Sequence, residues 1–493
     1  MYSNSDLKLN PATHLEFTEM GKKSTKDIEA IASGADTDTD RRRREKRLVR
    51  KLDLTLLPVV WVLYMFNYLD RNAIAQAKLN NIERDLGLIG DQFNTAISIL
   101  NVGYMLMQLP SNMILTRVRP SLYMPFWVCV WSCISASTAG ASNYTHLVVI
   151  RFFLGVSEAP FFPGAFYLLS CWYTRRELGL RTAVLYSGLV LATCFSGLIS
   201  AGIFAGLDGA KGLAGWQWLF IITGAISFLL GLLAMLILPD FPESTSGSGK
   251  WLFTQEEREL AIERIRLDRV SVEEGKHSVW YGLKAAATDY RTWIFVLMLT
   301  ANHTAYGFNN FFPTIVKGFN LGSRTITLVL TAPPYLVGAC ISFIVAFSSD
   351  RFGERGFHIA GPMCVAVLGF VISVATLNSA ARYAASFFYI SGCFAANAMV
   401  YSWASSSLSQ TPEKRAAAVA MINLLSQLGN IWSPYFFRPG DSPRYLLAMI
   451  LMMVFSGLSI VACMVMKWSL RRANQKLTRE SEGSETVPVL YTL

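Results

Sequence analysis

The chain has 493 residues, of which 52% are hydrophobic and only 16% are charged. Soluble domains usually carry about a quarter charged residues, so this composition excludes an ordinary soluble protein. The formal net charge of +10 is interpreted as a membrane-topology signal, not as a nucleic-acid-binding surface. The apolar residues lie in long runs, and a run of about 18 can cross the bilayer as a helix. Barrel strands would be short and alternating, so we predict an all-α membrane protein.

The N-terminal residues 1–50 are polar and end in the basic run 41–44, and we predict that they form a disordered cytoplasmic tail. The basic run indicates a cytoplasmic anchor before the first span, and binding of anionic lipid headgroups is the alternative. Twelve candidate spans follow, numbered here in chain order. They are 54–76, 93–115, 120–140, 146–172, 181–205, 216–238, 291–315, 324–348, 358–377, 383–408, 415–436 and 445–468.

Basic residues are more frequent in alternate loops, which predicts that both ends of the chain are cytoplasmic. Arg117 and Arg355 then lie in cytoplasmic loops. The loop between the third and fourth spans lies outside, and there Asn143 opens the sequence Asn-Tyr-Thr, an acceptor for glycosylation.

A charged stretch, residues 239–290, separates an N-terminal bundle (51–238) from a C-terminal bundle (291–468), and residues 469–493 form a cytoplasmic tail. Within this linker, Thr254 and Glu257 fit a capping box at the start of a surface helix. Similar turns, 111–117 and 349–355, follow the second and eighth spans. Two six-helix repeats are typical of transporters that hold the substrate between two rocking halves.

Four ionised side chains fall inside predicted spans of the first half: Asp70 and Arg71 in the first span, and Arg151 and Glu158 in the fourth. A charge at mid-bilayer is unfavourable by about 2.5–3.5 kcal/mol or more, so such residues face a cavity or a partner. Arginines suit a carboxylate substrate, and buried carboxyls suit proton coupling. The structural alternative is that Asp70 pairs with Arg71, and Arg151 with Glu158, only to hold helices together.

The second half has polar side chains in its spans but no comparable acids. Asn309 lies in the seventh span, Asn397 in the tenth, and Asn423 and Gln427 in the eleventh. Asn423, Gln427 and Asn430 share one helical face at i, i+4 and i+7. Such a stripe predicts hydrogen bonding to a substrate, and interhelical amide bonding is the alternative.

These residues resemble the major facilitator superfamily, and within it the anion:cation symporters, especially the fungal allantoate-permease-like branch. The resemblance covers about residues 45–475. It is carried by residues 67–72 (NYLDRN) and by the string that runs from Arg151 through Glu158 to Gly164. It implies protonation of the carboxyls at Asp70 and Glu158. It also implies that the arginines at Arg71 and Arg151 bind the substrate carboxylate, in a family that carries nicotinate, allantoate and pantothenate.

The turn at Asp350, Arg351 and Arg355 resembles the cytoplasmic gating motif of this superfamily. Its first-half counterpart ends at Arg117 and has Asn112 where an acid is usual, which puts charge-pair gating there in question.

We therefore expect a monomeric, proton-coupled importer of a small organic anion in the plasma membrane, driven by the proton gradient without a cofactor or metal. An exporter of an acidic metabolite is the first alternative, and a nutrient sensor that barely transports is the second. An enzyme is not expected, because no nucleophile–base pair or metal cluster appears among the spans.

Overall fold

The structure is a computed structural model, and it describes residues 11–115, 118–244, 249–268, 279–408, 411–481 and 490–493, with side chains from residue 40 onward. These described residues form helices and turns and contain no strand. Within them, nine helices are long and apolar enough to cross a membrane. The nine are Asp40–Asn80, Pro120–Gly140, Tyr144–Trp172, Glu177–Leu207, Gly215–Ile237, Arg324–Phe352, Gly356–Ala375, Ser379–Ser407 and Leu446–Glu480.

The nine helices confirm spans 1, 3, 4, 5, 6, 8, 9, 10 and 12 of the sequence prediction. Spans 2, 7 and 11 coincide with the remaining helical stretches, so the architecture is consistent with twelve spans. The second span is the helix Gln92–Leu115. The seventh comprises Tyr290–Ala305 and Phe312–Lys317, and the eleventh comprises Pro412–Ser426 and Leu428–Trp432.

Four spans are broken helices: the fourth, the seventh, the eighth and the eleventh. The fourth is divided into Tyr144–Glu158 and Phe161–Trp172, where Pro160 and Pro163 each lack the amide hydrogen that a continuous helix requires. In the seventh, the tighter turn Tyr306–Asn310 separates the two helical pieces. Broken helices leave backbone groups that must face protein or a cavity rather than lipid. In the fourth span the break follows Glu158 directly.

The first helix, Pro11–Ala77, begins well before the membrane. The prediction of a disordered tail is wrong for residues 40–50, which are helical and hold the linker. Within this stretch, the Arg41 guanidinium binds Glu263 of the linker (Nη2–Oε1 3.0 Å). Lys51, the first residue after the stretch, binds Glu257 of the linker (Nζ–Oε2 2.7 Å). These long-range ion pairs order a polar segment whose composition alone predicts no fold. The first ten residues of the predicted tail lie outside the described residues.

The linker packs on the predicted cytoplasmic end of the N-terminal bundle. Its main helix is Gln255–Asp268, and short helices Gly249–Leu252 and Val279–Thr288 flank it. The capping box is confirmed: the Glu257 amide donates to Thr254 Oγ1 at 3.2 Å, and the Thr254 amide donates to Glu257 Oε2 at 3.0 Å. The Phe253 ring stacks on Trp172 at a centroid distance of 4.7 Å, which attaches the linker to the fourth span.

The halves contact each other mainly at the end opposite the linker, which is the predicted outer side. Second-span side chains donate to carbonyls near the end of the eleventh span, as Ser98 Oγ does to Ile431 O at 2.6 Å. Beyond the fifth span, Asp208 binds Arg324 at 2.7 Å. A Cβ added to Gly197 would lie 2.6 Å from the Leu328 carbonyl oxygen, so the fifth span needs glycine there. These contacts join the two halves at the predicted outer end of the bundles.

Candidate functional site

Close packing of the second and fourth spans positions the charged groups of the first half. A Cβ added to Gly155 would lie 2.8 Å from the Leu100 carbonyl carbon, and one added to Gly103 would lie 3.2 Å from the Val156 amide nitrogen. Only glycine allows the two backbones to approach this closely. The approach fixes Glu158, one turn after Gly155, against the centre of the bundle.

Asp70 is fully buried and faces the sixth span. Its Oδ2 atom accepts a hydrogen bond from Ser227 Oγ at 2.9 Å. Its second oxygen, Oδ1, has no hydrogen-bond partner among the described residues. The carboxyl group therefore has an open position for a proton in a part of the bundle that excludes solvent.

Arg71 turns the other way and forms an ion pair with Glu158 in the fourth span, through Nε and Oε2. The Arg71 side chain is 17% exposed, whereas that of Glu158 is fully buried. Its guanidinium carbon lies 4.5 Å from the centre of the Tyr104 ring and 5.3 Å from that of Tyr68. Arg71 is therefore the most accessible of the four charged residues.

Arg151 lies on the fourth span, two turns before Glu158, and is only 2% exposed. Its Nε and Nη1 atoms are buried without a hydrogen-bond partner among the described residues. A buried guanidinium N–H that lacks a partner is strongly unfavourable. Arg151 therefore has unused donor capacity directed into the protein, as a site for an anionic ligand requires.

The four charges cluster, but not in the pairs that the structural alternative proposed. Neither Asp70–Arg71 nor Arg151–Glu158 is among the ion pairs of the described residues, and the first and fourth spans are joined through Arg71 and Glu158 instead. The reason is geometric: adjacent residues of a helix project about 100° apart, so Asp70 and Arg71 face different neighbours. Only Arg71 is appreciably exposed, so the expectation that all four charges share a vestibule with water is not met at Asp70, Arg151 and Glu158.

Tyr68 and Tyr104 lie next to Arg71, and further tyrosines of both halves lie near these two; sequence reasoning did not identify them as a group. Tyr186 and Tyr401 lie near each other across the two halves, and both lie near Tyr68 and Tyr104. Tyr306 of the seventh span lies near Tyr68 and Tyr186. We call Tyr68, Tyr104, Tyr186, Tyr306 and Tyr401 the tyrosine cluster. The cluster therefore brings tyrosines of both halves together near the partners of Arg71.

The amide oxygens of the predicted polar residues of the second half each accept a hydrogen bond from a neighbouring side chain. Asn309 accepts from Tyr335 OH at 2.7 Å, and Asn397 accepts from Asn302 at 3.0 Å. In the eleventh span the same pattern recurs: Asn423 Oδ1 accepts from Tyr401 OH at 2.9 Å, and Gln427 Oε1 from Asn430 at 2.9 Å.

The interhelical amide bonding that the sequence left open is therefore present at Asn309, Asn397 and Asn423. Because their oxygens are occupied, the NH₂ groups remain as donors, and none has a partner among the described residues.

The predicted gating turn forms a network at the cytoplasmic end of the second half. Asp350 binds Arg355 at 2.6 Å, and the neighbouring Glu354 binds Lys467 of the twelfth span at 2.5 Å and His358 at 3.0 Å. Partial burial opposes ionisation of Glu354, but the hydrogen bonds from Lys467, the Phe357 amide and His358 outweigh it and hold its pKa below the usual value. This network connects the eighth, ninth and twelfth spans.

The remaining predicted site residues do not belong to the networks described above. Arg351 is exposed and takes part in none of the ion pairs of the described residues. The Arg117 side chain lies outside the described residues. Asn143 is exposed and caps the fourth span by accepting from the His146 amide at 2.9 Å, and its glycosylation stays a prediction. No group of three His, Cys, Asp or Glu side chains in the described ranges is placed to hold a metal ion.

Comparisons with known proteins agree with this arrangement. The model of the Major Facilitator Superfamily matches residues 60–434. The chain is 34% identical over 460 residues to the MFS-type transporter cnsO of Penicillium expansum, covering 91% of this chain and 86% of that protein. It is 28% identical over 450 residues to the high-affinity nicotinic acid transporter of Saccharomyces cerevisiae, covering 90% and 82%.

The fold is also found among solved transporters. A bacterial homolog of the human lysosomal transporter Spinster, in an inward-facing and occupied conformation, superposes with a TM-score of 0.66 at 16% identity, covering 85% of this chain and 97% of that one. The two-bundle architecture, the family match over most of the spans and the similarity to fungal transporters lead to one assignment. The chain belongs to the major facilitator superfamily of membrane transporters.

Proposed function

We propose that this transporter takes up a small organic anion together with protons, and that Arg71, Arg151, Asp70 and Glu158 bind the two. The observation that carries the proposal is the buried Arg71–Glu158 pair beside Arg151, whose guanidinium has unpartnered N–H groups. Such a group of buried charges within the membrane marks a binding or coupling site. If these charged side chains served only to hold helices together, we would expect the N–H groups of Arg151 to have hydrogen-bond partners.

The pair links the anion to the proton by competition. A substrate carboxylate can replace Glu158 on Arg71, because a guanidinium binds one carboxylate in paired hydrogen bonds. Glu158 then lacks its partner, and a proton neutralises the buried carboxylate. Anion and proton enter together, and the charge of the site is unchanged. Asp70, with one unpartnered oxygen, is the second proton-binding group.

The second half completes the binding site with neutral donors. The unused NH₂ groups of Asn309, Asn397, Asn423 and Gln427 suit an anion. The tyrosine cluster supplies aromatic faces against which a flat substrate can stack. One of the relatives is named a nicotinic acid transporter. Nicotinic acid is a flat aromatic carboxylic acid. A planar carboxylic acid is therefore the substrate class that we propose.

Alternating access exposes this site to one side at a time. Asp350, Arg351, Arg355 and Arg117 are proposed to act at the cytoplasmic gate, where the Asp350–Arg355 pair holds the turn between the eighth and ninth spans. Protons flow inward across a plasma membrane, so a transporter that couples its substrate to this flow takes the substrate up. We propose that the monomer carries out this transport. Export of an acidic metabolite through the same scaffold is the competing proposal. A null strain that accumulates the compound would favour export.

Transport by purified protein in sealed vesicles tests the proposal. Radiolabelled nicotinate and a panel of other organic acids are offered with the outside more acidic than the inside. We expect at least one acid to accumulate, and a protonophore to abolish the accumulation. Uptake that ignores the pH gradient would contradict proton coupling. Saturable binding without any flux would identify the protein as a sensor instead.

A further inference from the structure

A second charged site lies far from the membrane centre, on the cytoplasmic face of the N-terminal bundle. There the start of the first helix, the linker helix and the beginning of the fifth span enclose a cleft of about 470 Å³. This volume is within the range of small-ligand sites. The lining carries charges of both signs, including Lys46, Arg50 and Arg264 on the basic side.

Every acidic side chain of the cleft is already neutralised. Glu45 pairs with Arg41 at 3.3 Å, and Asp53 binds Arg181 at 2.7 Å. Glu177 binds Arg264 at 2.5 Å and also caps its own helix by accepting from the Thr174 amide. Glu177 therefore compensates the charge of Arg264, whereas Lys46 and Arg50 of the lining have no acidic partner among the described residues.

The basic side chains have unused capacity. Lys46 and Arg50 are exposed and take part in none of the ion pairs or hydrogen bonds of the described chain. Arg264 is the decisive residue, because it is only 7% exposed and its buried Nη1 atom has no partner among the described residues. Basic residues whose only role was to set the membrane topology would stay solvated. None of them would have a buried guanidinium N–H without a hydrogen-bond partner.

We propose that this cleft binds a phosphate-bearing ligand on the cytoplasmic side. Arg264 Nη1 would donate from the base of the cleft, and Lys46 and Arg50 would close over the phosphates from the first helix. Paired guanidinium donors and flexible ammonium groups are the side chains that suit phosphate. The cleft adjoins the first span, at headgroup level, so a phosphorylated lipid headgroup is one source, and a free phosphate compound is the other.

Binding to the full-length purified protein tests the site and separates the two sources. The probes are a short-chain phosphatidylinositol bisphosphate, soluble inositol trisphosphate and short-chain phosphatidylcholine. The test variant is Lys46→Gln with Arg50→Gln, because both residues are exposed and unpaired. The matched control is Arg44→Gln with Arg47→Gln, which removes the same charge from the same helix outside the cleft.

We expect the phosphorylated probes to bind the wild type and the control, and phosphatidylcholine not to bind. Binding by the test variant should weaken by about 25-fold, since each basic residue at an anionic surface contributes about fivefold. Tighter binding of the lipid than of inositol trisphosphate assigns the cleft to a headgroup. Equal binding assigns it to a free phosphate compound. Equal weakening in the test and control variants, or no phosphate binding, would overturn the proposal.

Discussion

Arg71 and Glu158 form an ion pair that joins the first span to the fourth, although the two residues are 87 positions apart in the chain. A buried pair of this kind is destabilising when only one partner is removed, because the other charge is left alone. The pair therefore holds the two helices together in the state described here. A substrate anion and a proton are the two species that can open it without leaving a charge unpaired.

Glu158→Gln removes the proton-binding group but keeps the size and a hydrogen-bonding oxygen. We expect proton-driven accumulation of the substrate to fall by at least about tenfold, which corresponds to about 1.4 kcal/mol. Exchange of labelled for unlabelled substrate across the membrane should persist, because exchange needs no net proton movement. Both rates are measured in the same vesicles. If accumulation survived at the wild-type level, Glu158 would not be the coupling group.

Arg151→Lys keeps the charge but removes the planar set of N–H donors. A single hydrogen bond to a charged group contributes about 1.5–3 kcal/mol, so the Kd for the substrate should rise about 10- to 100-fold. Arg444→Lys, on the exposed outer face of the second half, is the matched control and should bind normally. Isothermal titration against the transported acid measures both. Unchanged binding by the Arg151 variant would remove this residue from the substrate site.

Gly197→Ala tests the closed outer side. The added methyl group would meet the Thr331 hydroxyl and the Leu328 carbonyl oxygen, so the fifth and eighth spans would have to separate. Gly202→Ala is the control on the same helix, since nothing lies within 4 Å of its added Cβ.

Spin labels at the outer ends of these two spans report the separation by pulsed electron resonance. We expect a longer distance for Gly197→Ala and the wild-type distance for Gly202→Ala. A wild-type distance in both variants would show that this contact does not hold the outer side closed.

The Glu354 network predicts how the second half responds to acid. Because the folded state holds the Glu354 pKa below its usual value, its stabilisation is present above that usual value, about 4.3. It is lost as the pH falls through the lowered pKa. The melting temperature of Glu354→Gln should therefore be below that of the wild type at pH 7, and the difference should shrink as the pH falls below about 4.3. A difference that stayed constant with pH would show that the loss is one of packing.

The spans could be predicted from the sequence because lipid requires long apolar helices, and nine of them are confirmed in the described residues. The breaks at Tyr306 and Gln427 could not, since a broken helix and a continuous one have the same hydropathy. The four charges were identifiable because each is unfavourable in lipid. Their partners were not, because pairing depends on which way Asp70 and Arg71 turn. The tyrosine cluster could not be identified as a group, because its five members are far apart in the chain.

The outer seal formed at Ser98, Gly197 and Asp208 has a pharmacological consequence. In this conformation these contacts lie between the predicted outer side and Arg71, so a blocker from outside that recognises Arg71 must pass them. A molecule applied from the medium would meet only the rim where Asp208 and Arg324 join. Inhibitors that act from outside the cell should therefore be selected against the opposite conformation, in which Asp208 and Arg324 are separated.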